Sequence, residues 1–191
     1  DLTGRESMNL PNKLTIFRMV LVPFFVAAVL WESLPHHYLI AFLIFAAASY
    51  TDHLDGKIAR RDNLITNFGK FMDPLADKIL VISALVCFVS LDLTNVWFVV
   101  IIIAREFMVT SIRLLAAERG LVIAANIWGK AKTVSQIIAI LVILLLQYIQ
   151  DFLASPIPAF YWIGELLMLI CTIFTILSGL VYVRQNRGVL S

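Results

Sequence analysis

The chain has 191 residues, of which 61% are hydrophobic and 15% are charged, and its mean hydropathy is +0.91. Typical soluble proteins are about 45 to 50% apolar and about 25% charged, so the apolar surplus excludes an ordinary soluble domain. The net charge of +2 is too balanced for a protein that binds nucleic acid, and two cysteines are too few for a disulfide-stapled secreted scaffold.

Six apolar runs follow one another along the chain, and they predict an all-α, polytopic membrane protein with six transmembrane helices. The runs cover residues 14–31, 37–49, 79–91, 96–117, 134–149 and 157–183. A helix needs about 20 residues to cross a hydrocarbon core of about 30 Å, so the second and third runs are too short alone. We therefore expect the second helix to continue to Arg60 and the third to begin near Gly69.

The polar segment 1–7 precedes the first methionine, Met8, and we interpret it as the remainder of an expression tag. Residues 8–191 contain no internal repeat and no long linker, so we expect a single six-helix domain.

Lysine and arginine occur in alternate connections between the runs, which predicts the orientation of the chain in the membrane. The N-terminal segment, the second and fourth connections and the tail carry them, whereas segments 32–36, 92–95 and 151–156 contain none. Short cytoplasmic loops carry the excess of positive charge. Both termini and the charged second connection are therefore expected on the cytoplasmic side of the cytoplasmic (inner) membrane.

Four aspartates recur with helical spacing around the second connection. Asp52 and Asp55 are three residues apart, and Asp73 and Asp77 are four apart, so each pair projects from one face of its own helix. Consecutive helices joined by a short loop are antiparallel neighbours, which lets the four carboxylates converge. Like charges at close range need a positive partner. Oxygen ligands of this kind favour hard cations, so we predict a site for two divalent metal ions, Mg²⁺ or Mn²⁺.

Two glycines and an arginine in the same segment indicate that the bound molecule carries phosphate. Gly56 and Gly69 have no side chain to keep a phosphate or nucleotide away from the helix backbone. Arg60 supplies a forked phosphate donor nearby. The simpler alternative is a solvated cytoplasmic loop in which the aspartates pair with neighbouring lysine and arginine side chains.

Segment 52–77 reads D-x-x-D-G-x-x-A-R, eight residues, then G-x-x-x-D-x-x-x-D, and it resembles the signature of the CDP-alcohol phosphotransferase family at every fixed position. Members of that family transfer a substituted phosphate from a CDP-linked donor to an alcohol and release CMP. The resemblance implies that Asp52, Asp55, Asp73 and Asp77 hold two divalent ions, that Asp77 is also the general base, and that the protein is a homodimer. It also implies a CDP pocket lined by Gly56, Ala59, Arg60 and Gly69.

A second group of charged residues lies in the fourth run and before the fifth. Arg105 and Arg113 are eight residues apart, hence on one face of the fourth helix, and Lys130 and Lys132 follow at the expected cytoplasmic start of the fifth helix. Charged residues inside a membrane helix usually face the bundle interior, so these four predict a cationic pocket for an acceptor that carries phosphate. The structural alternative is an ion pair of either arginine with Glu106, and basic side chains that contact lipid headgroups.

Three further segments, N-L-P-N-K-L-T at 9–15, R-E-F at 105–107 and G-K-A-K-T at 129–133, are similar to those of bacterial phosphatidylglycerophosphate synthases. This similarity implies CDP-diacylglycerol as the donor and glycerol 3-phosphate as the acceptor, a step of phospholipid biosynthesis in the lipid bilayer. Inositol phosphate and serine stay open as acceptors within the same chemistry. An alternative of another class is a divalent-cation transporter, because aspartates at membrane level can bind a transported ion.

Overall fold

The computed structural model describes the backbone of residues 10–61, 67–121, 127–153 and 156–190, and in these ranges all side chains except those of residues 10–12, 52–61, 67–74, 77, 189 and 190. Every regular element of the described backbone is an α-helix. In chain order the helices are α1 (Leu10–Leu30), α2 (His37–Arg61), α3 (Asn67–Ser90), α4 (Val96–Glu118), α5 (Ile127–Leu153), α6 (Pro158–Gln185) and the short α7 (Arg187–Leu190). The all-α prediction is confirmed for these residues.

The second and third helices extend well beyond their apolar runs, as the sequence predicted. α2 continues to Arg61, and α3 begins at Asn67, close to the expected start at Gly69. Both aspartate pairs of the motif therefore lie on helices, at the two helix ends that adjoin the second connection.

In the part of the chain that the structure describes, three helices are long and apolar enough to cross a membrane: Lys13–Leu30 within α1, Ile127–Leu153 and Pro158–Gln185. The apolar parts of α2 and α3 are shorter, His37–Thr51 and Lys78–Ser90, and α4 carries three charged residues before Glu118, namely Arg105, Glu106 and Arg113. The chain is therefore a helical membrane protein. The arrangement with six spans and cytoplasmic termini stays a prediction.

Two compact units make up the chain, Asp1–Ala84 and Leu85–Ser191. In the first unit α1 packs against α2. The ring centroids of Phe25 and Phe45, both fully buried, are 5.7 Å apart. His37, the first residue of α2, is also buried, and its Nδ1 lies 3.2 Å from the carbonyl oxygen of Ala28. Because a carbonyl oxygen can only accept, Nδ1 donates this hydrogen bond, which ties the start of α2 to the end of α1.

In the second unit α6 packs against both α4 and α5. Its buried residues form one stripe at helical spacing, and most of them are small: Gly164, Met168, Cys171, Thr172, Thr175, Ser178, Gly179 and Tyr182. A Cβ atom added at Gly164 would lie 3.4 Å from Cγ1 of Ile143 on α5. Small residues let membrane helices approach closely, so this stripe sets the distances at which α4 and α5 lie against α6.

Both ends of α4 are fixed, which matters because this helix carries Arg105 and Arg113, two of the four residues of the predicted cationic pocket. At the start, the Asn95 side chain accepts a hydrogen bond from an N–H of the first turn, and the Asn95 N–H donates to Oε1 of Glu165 on α6 at 2.8 Å. At the end, Gly120 has a left-handed backbone with φ +71. The N–H of Leu121 then donates back to the carbonyl oxygen of Ala116 at 2.8 Å, which closes the last turn.

The packing of α1 against α2 can be tested with a pair of adjacent phenylalanines. Phe25→Ala should lower the free energy of unfolding by about 3–5 kcal/mol, because it leaves a cavity beside Phe45. Phe24→Ala is the matched control, since Phe24 is 60% exposed, and it should change stability by about 0.5 kcal/mol at most. Thermal unfolding in detergent, followed by circular dichroism, measures both. Equal losses in the two variants would contradict the described packing.

Candidate active site

The four motif aspartates lie on the ends of α2 and α3 that adjoin the second connection. Asp52 and Asp55 belong to α2, which ends at Arg61, and Asp73 and Asp77 belong to the first half of α3. Helical backbone at these positions gives each pair the one-face spacing that the sequence predicted. Their side chains lie outside the described residues, as do the CDP-pocket residues Gly56, Ala59, Arg60 and Gly69. The convergence of the carboxylates stays a prediction.

The donor set of the motif fits a hard divalent cation. All four predicted ligands are carboxylates, and Mg²⁺ and Mn²⁺ prefer oxygen donors. Among the side chains that the structure describes, no group of three or more His, Cys, Asp or Glu residues is placed to hold a metal ion. The metal ligands proposed for this chain are the four motif aspartates, Asp52, Asp55, Asp73 and Asp77.

A largely buried group of three ionic side chains and one serine, here called the charge cluster, joins three helices of the second unit. It consists of Arg105 and Glu106 on α4, Lys132 on α5 and Ser178 on α6. Oε1 of Glu106 accepts from Nη1 of Arg105 at 2.9 Å and also forms an ion pair with Nζ of Lys132. Nη2 of Arg105 donates to Oγ of Ser178. The side chains of Arg105, Glu106 and Lys132 are only 12%, 13% and 6% exposed.

The charge cluster carries more positive than negative charge. It holds two cations and one carboxylate, which leaves a net charge of +1. Nε of Arg105 is buried without a hydrogen-bond partner, and so is Nε2 of Gln136, which lies one helical turn after Lys132. Both atoms are N–H donors, and a buried donor without an acceptor costs free energy. A bound anion with acceptor oxygens, such as a phosphate, would offset the positive charge and could accept a hydrogen bond from Nε of Arg105.

The four residues of the predicted cationic pocket have different surroundings. Arg105 and Lys132 share the Glu106 carboxylate, whereas Lys130 is exposed near the start of α5. The guanidinium carbon of Arg113 lies 5.7 Å from the ring centroid of Tyr182, within cation–π range. The ion pair of Arg105 with Glu106, which was the structural alternative, is present. It coexists with the surplus positive charge that the pocket hypothesis requires.

Sequence reasoning missed three polar residues of this region. Gln136, Ser178 and Tyr182 are all buried, and the hydroxyl of Tyr182 has no hydrogen-bond partner. Each is a polar residue within a largely apolar run. The signal that could have found them is that polar groups inside membrane helices face the bundle interior and are usually functional.

These observations define a helical membrane protein with an acidic motif on two helix ends and a buried cationic cluster. Comparison with known families makes the class specific, because the model of the CDP-alcohol phosphatidyltransferase family matches residues 8–180. The chain belongs to the CDP-alcohol phosphatidyltransferase family.

Several curated relatives resemble the chain over most of its length. It is 43% identical over 189 residues to a CDP-diacylglycerol--glycerol-3-phosphate 3-phosphatidyltransferase of Bacillus subtilis, covering 93% of this chain and 95% of the relative. It is 37% identical to a protein of the same name from Pseudomonas fluorescens, covering 93% and 89%. It is 42% identical over 144 residues to a probable phosphatidylglycerophosphate synthase of Mycobacterium tuberculosis, covering 73% and 68%. The family predicted from the motif is confirmed.

The charge cluster predicts different consequences for two neighbouring lysines. Lys132→Met should lower the free energy of unfolding by roughly 2–3 kcal/mol, because the buried Glu106 carboxylate loses one of its two cationic partners. Lys130→Met should change it by about 0.5 kcal/mol at most, because Lys130 is exposed. Thermal unfolding of both variants in detergent provides the measurement. Similar destabilisation by the two substitutions would argue against a buried ion pair at Lys132.

Proposed function

We propose that this chain transfers the phosphatidyl group of CDP-diacylglycerol to glycerol 3-phosphate, giving phosphatidylglycerophosphate and CMP. The observation that carries the proposal is the 43% identity, over 93% of the chain, to a relative named for this reaction. The complete motif in segment 52–77 supports it, because each fixed position of the family signature is present.

The proposed setting is the cytoplasmic membrane, crossed six times, with both termini and the active site on the cytoplasmic side. The alternation of lysine and arginine between the connections supports this orientation. The motif lies at the ends of α2 and α3 that adjoin the basic second connection, which agrees with an active site at the inner membrane surface. A homodimer is part of the proposal through the family resemblance.

The donor side of the reaction is assigned to the motif. Asp52, Asp55, Asp73 and Asp77 are the proposed ligands of two divalent ions, Mg²⁺ or Mn²⁺. Bound there, the ions would neutralise charge on the donor pyrophosphate as it develops during transfer. The proposed CDP pocket consists of Gly56, Ala59, Arg60 and Gly69. In that pocket Arg60 binds phosphate oxygens through its forked donors, and the two glycines allow close approach to the backbone.

The acceptor side is assigned to the cationic residues of the second unit. Arg105 and Lys132, in the charge cluster, are proposed to bind the phosphate of glycerol 3-phosphate, with Arg113 and Lys130 as outer contacts. The net positive charge of the cluster and the unpartnered Nε of Arg105 support this assignment. Buried charge inside membrane helices is costly, so its presence here is best explained by a ligand that needs it.

The reaction proposed is a displacement at the β-phosphorus of CDP-diacylglycerol. The C1 hydroxyl oxygen of glycerol 3-phosphate forms a bond to that phosphorus, and the bond from the phosphorus to the bridging oxygen breaks. CMP leaves with the bond's electron pair, and the hydroxyl proton passes to the Asp77 carboxylate. Binding the acceptor phosphate orients the hydroxyl, and such positioning provides much of the rate in transfers of this kind. A general base contributes about 10²- to 10⁴-fold.

A test of the proposed function is CMP release by the purified protein in detergent with CDP-diacylglycerol and Mg²⁺. We expect release when glycerol 3-phosphate is added, none with inositol phosphate, serine or glycerol, and loss of release on addition of EDTA. Release with another acceptor would retain the family chemistry and overturn the acceptor assignment. If no acceptor supports release, the transferase proposal is wrong, and uptake of divalent cations into vesicles containing the protein becomes the next assay.

The base assignment predicts that Asp77→Asn lowers the turnover number by about 10²-fold or more, because the amide cannot accept the hydroxyl proton. CMP release is measured with increasing Mg²⁺, so that weaker metal binding is separated from loss of the base. A lower turnover number that persists at saturating Mg²⁺ supports the assignment of Asp77 as the base. Asp92→Asn is the control, since Asp92 is exposed and has a left-handed backbone, φ 54, that asparagine tolerates. Wild-type turnover in Asp77→Asn would remove Asp77 as the base.

A further inference from the structure

Glu106 contacts both cations of the charge cluster, and nothing in the proposed chemistry uses its carboxylate. We propose that Glu106 is a positioning residue for the acceptor phosphate: through Oε1 it holds Arg105 and Lys132 at one point, so that the two cations bind the phosphate together. This inference rests on the proposed function. It adds to the proposed acceptor site a residue that was not predicted to bind either substrate.

The first argument is electrostatic. Arg105 belongs to α4 and Lys132 to α5, and their positive charges repel each other in a partly buried place where the repulsion is only weakly screened. A carboxylate oxygen between them offsets that repulsion, and both contacts are charge-assisted. Because the same oxygen serves both cations, their head groups are drawn to one location in the bundle.

The second argument concerns the donors of Arg105. Its Nη1 donates to Glu106 and its Nη2 to Ser178, so two corners of the guanidinium are fixed by α4 and α6. Its Nε is buried and has no partner. Glu106 therefore orients the guanidinium while leaving one N–H donor unused, and a phosphate oxygen can accept that hydrogen bond.

The third argument is steric and comes from α6. A Cβ atom added at Gly179 would lie 3.2 Å from Cγ of Arg105 and 3.4 Å from Cε of Met108. The absence of a side chain at Gly179 thus makes room for the aliphatic stem of Arg105. The arginine therefore contacts Ser178 and packs at Gly179 on α6, and it contacts Glu106 on its own helix, which agrees with a side chain kept in one orientation.

The test is Glu106→Gln, which keeps the shape of the side chain and removes its charge. With the acceptor cations no longer held together, the KM for glycerol 3-phosphate should rise by about tenfold or more, whereas kcat and the KM for CDP-diacylglycerol should change by about twofold at most. Glu106→Asp retains the charge and should restore part of the loss. Glu118→Gln is the matched control, because Glu118 is an exposed acidic residue on the same helix.

A double-mutant cycle separates positioning from an independent effect. If Glu106 acts through Lys132, the combined variant Glu106→Gln/Lys132→Met should raise the acceptor KM by less than the product of the two single effects. A full product would show that Glu106 does not act through Lys132 and would overturn the inference.

Two other outcomes would also overturn it. Equal increases in both KM values would indicate a general structural role, and a lower KM for glycerol 3-phosphate would show that the carboxylate competes with the phosphate. If Glu106→Gln does not fold, the acceptor KM of Gly179→Ala is measured instead. Gly188→Ala is the control, because a Cβ atom at Gly188 has no neighbour within 4 Å. Crowding of the Arg105 stem should raise the acceptor KM alone, and an unchanged KM would contradict the inference. Wild-type protein without activity on glycerol 3-phosphate would instead refute the proposed function.

Discussion

The charged interior of the second unit depends on one interaction, the contact of the Glu106 carboxylate with both Arg105 and Lys132. Ionised groups out of contact with water are tolerated only when they are paired and hydrogen-bonded. Here one oxygen compensates two cations that come from different helices, and Ser178 accepts one further hydrogen bond from the arginine. The compensation is partial, because two positive charges face one negative charge. The same interaction therefore makes the cluster stable and leaves it able to attract an anion.

The scaffold around the cluster follows from what a bilayer permits. Backbone polar groups in hydrocarbon must be satisfied within the segment, which makes helices the available element. Side chains must then bring helices together without help from water. In α6 this is achieved by small residues: Gly164 admits Ile143 of α5, and Gly179 admits the stem of Arg105 of α4. One stripe of a single helix thereby positions the two helices that carry the cations.

Helix positions could be predicted from the sequence more completely than side-chain contacts. The sequence predicted that α2 and α3 extend into the polar segments beside their apolar runs, because crossing a bilayer needs more residues than those runs contain. The apolar run understated α5, which begins at Ile127, since Lys130 and Lys132 lie in its first turns. The contacts of Arg105 could not be predicted, because Ser178 is 73 residues away in the chain and lies beside it only through helix packing.

The grouping of the predicted acceptor residues shows the same limit. Arg105 and Arg113 share a helix face, but eight residues correspond to about 12 Å along the axis, and their contacts differ: Arg105 contacts Glu106 and Ser178, whereas Arg113 lies over the ring of Tyr182. Both substrates of the proposed reaction are anions: the donor carries a pyrophosphate and the acceptor a phosphate monoester. The positive charge that would bind each of them has a different source. The motif carboxylates are negatively charged and, as proposed, attract the anionic donor only with bound metal ions, whereas the charge cluster is positive through its own side chains. A binding site whose cationic side chains are already held in place loses little conformational entropy when its ligand binds. In the proposed function, recognition of the acceptor therefore depends on the packing of α4, α5 and α6, and recognition of the donor depends on the motif in segment 52–77.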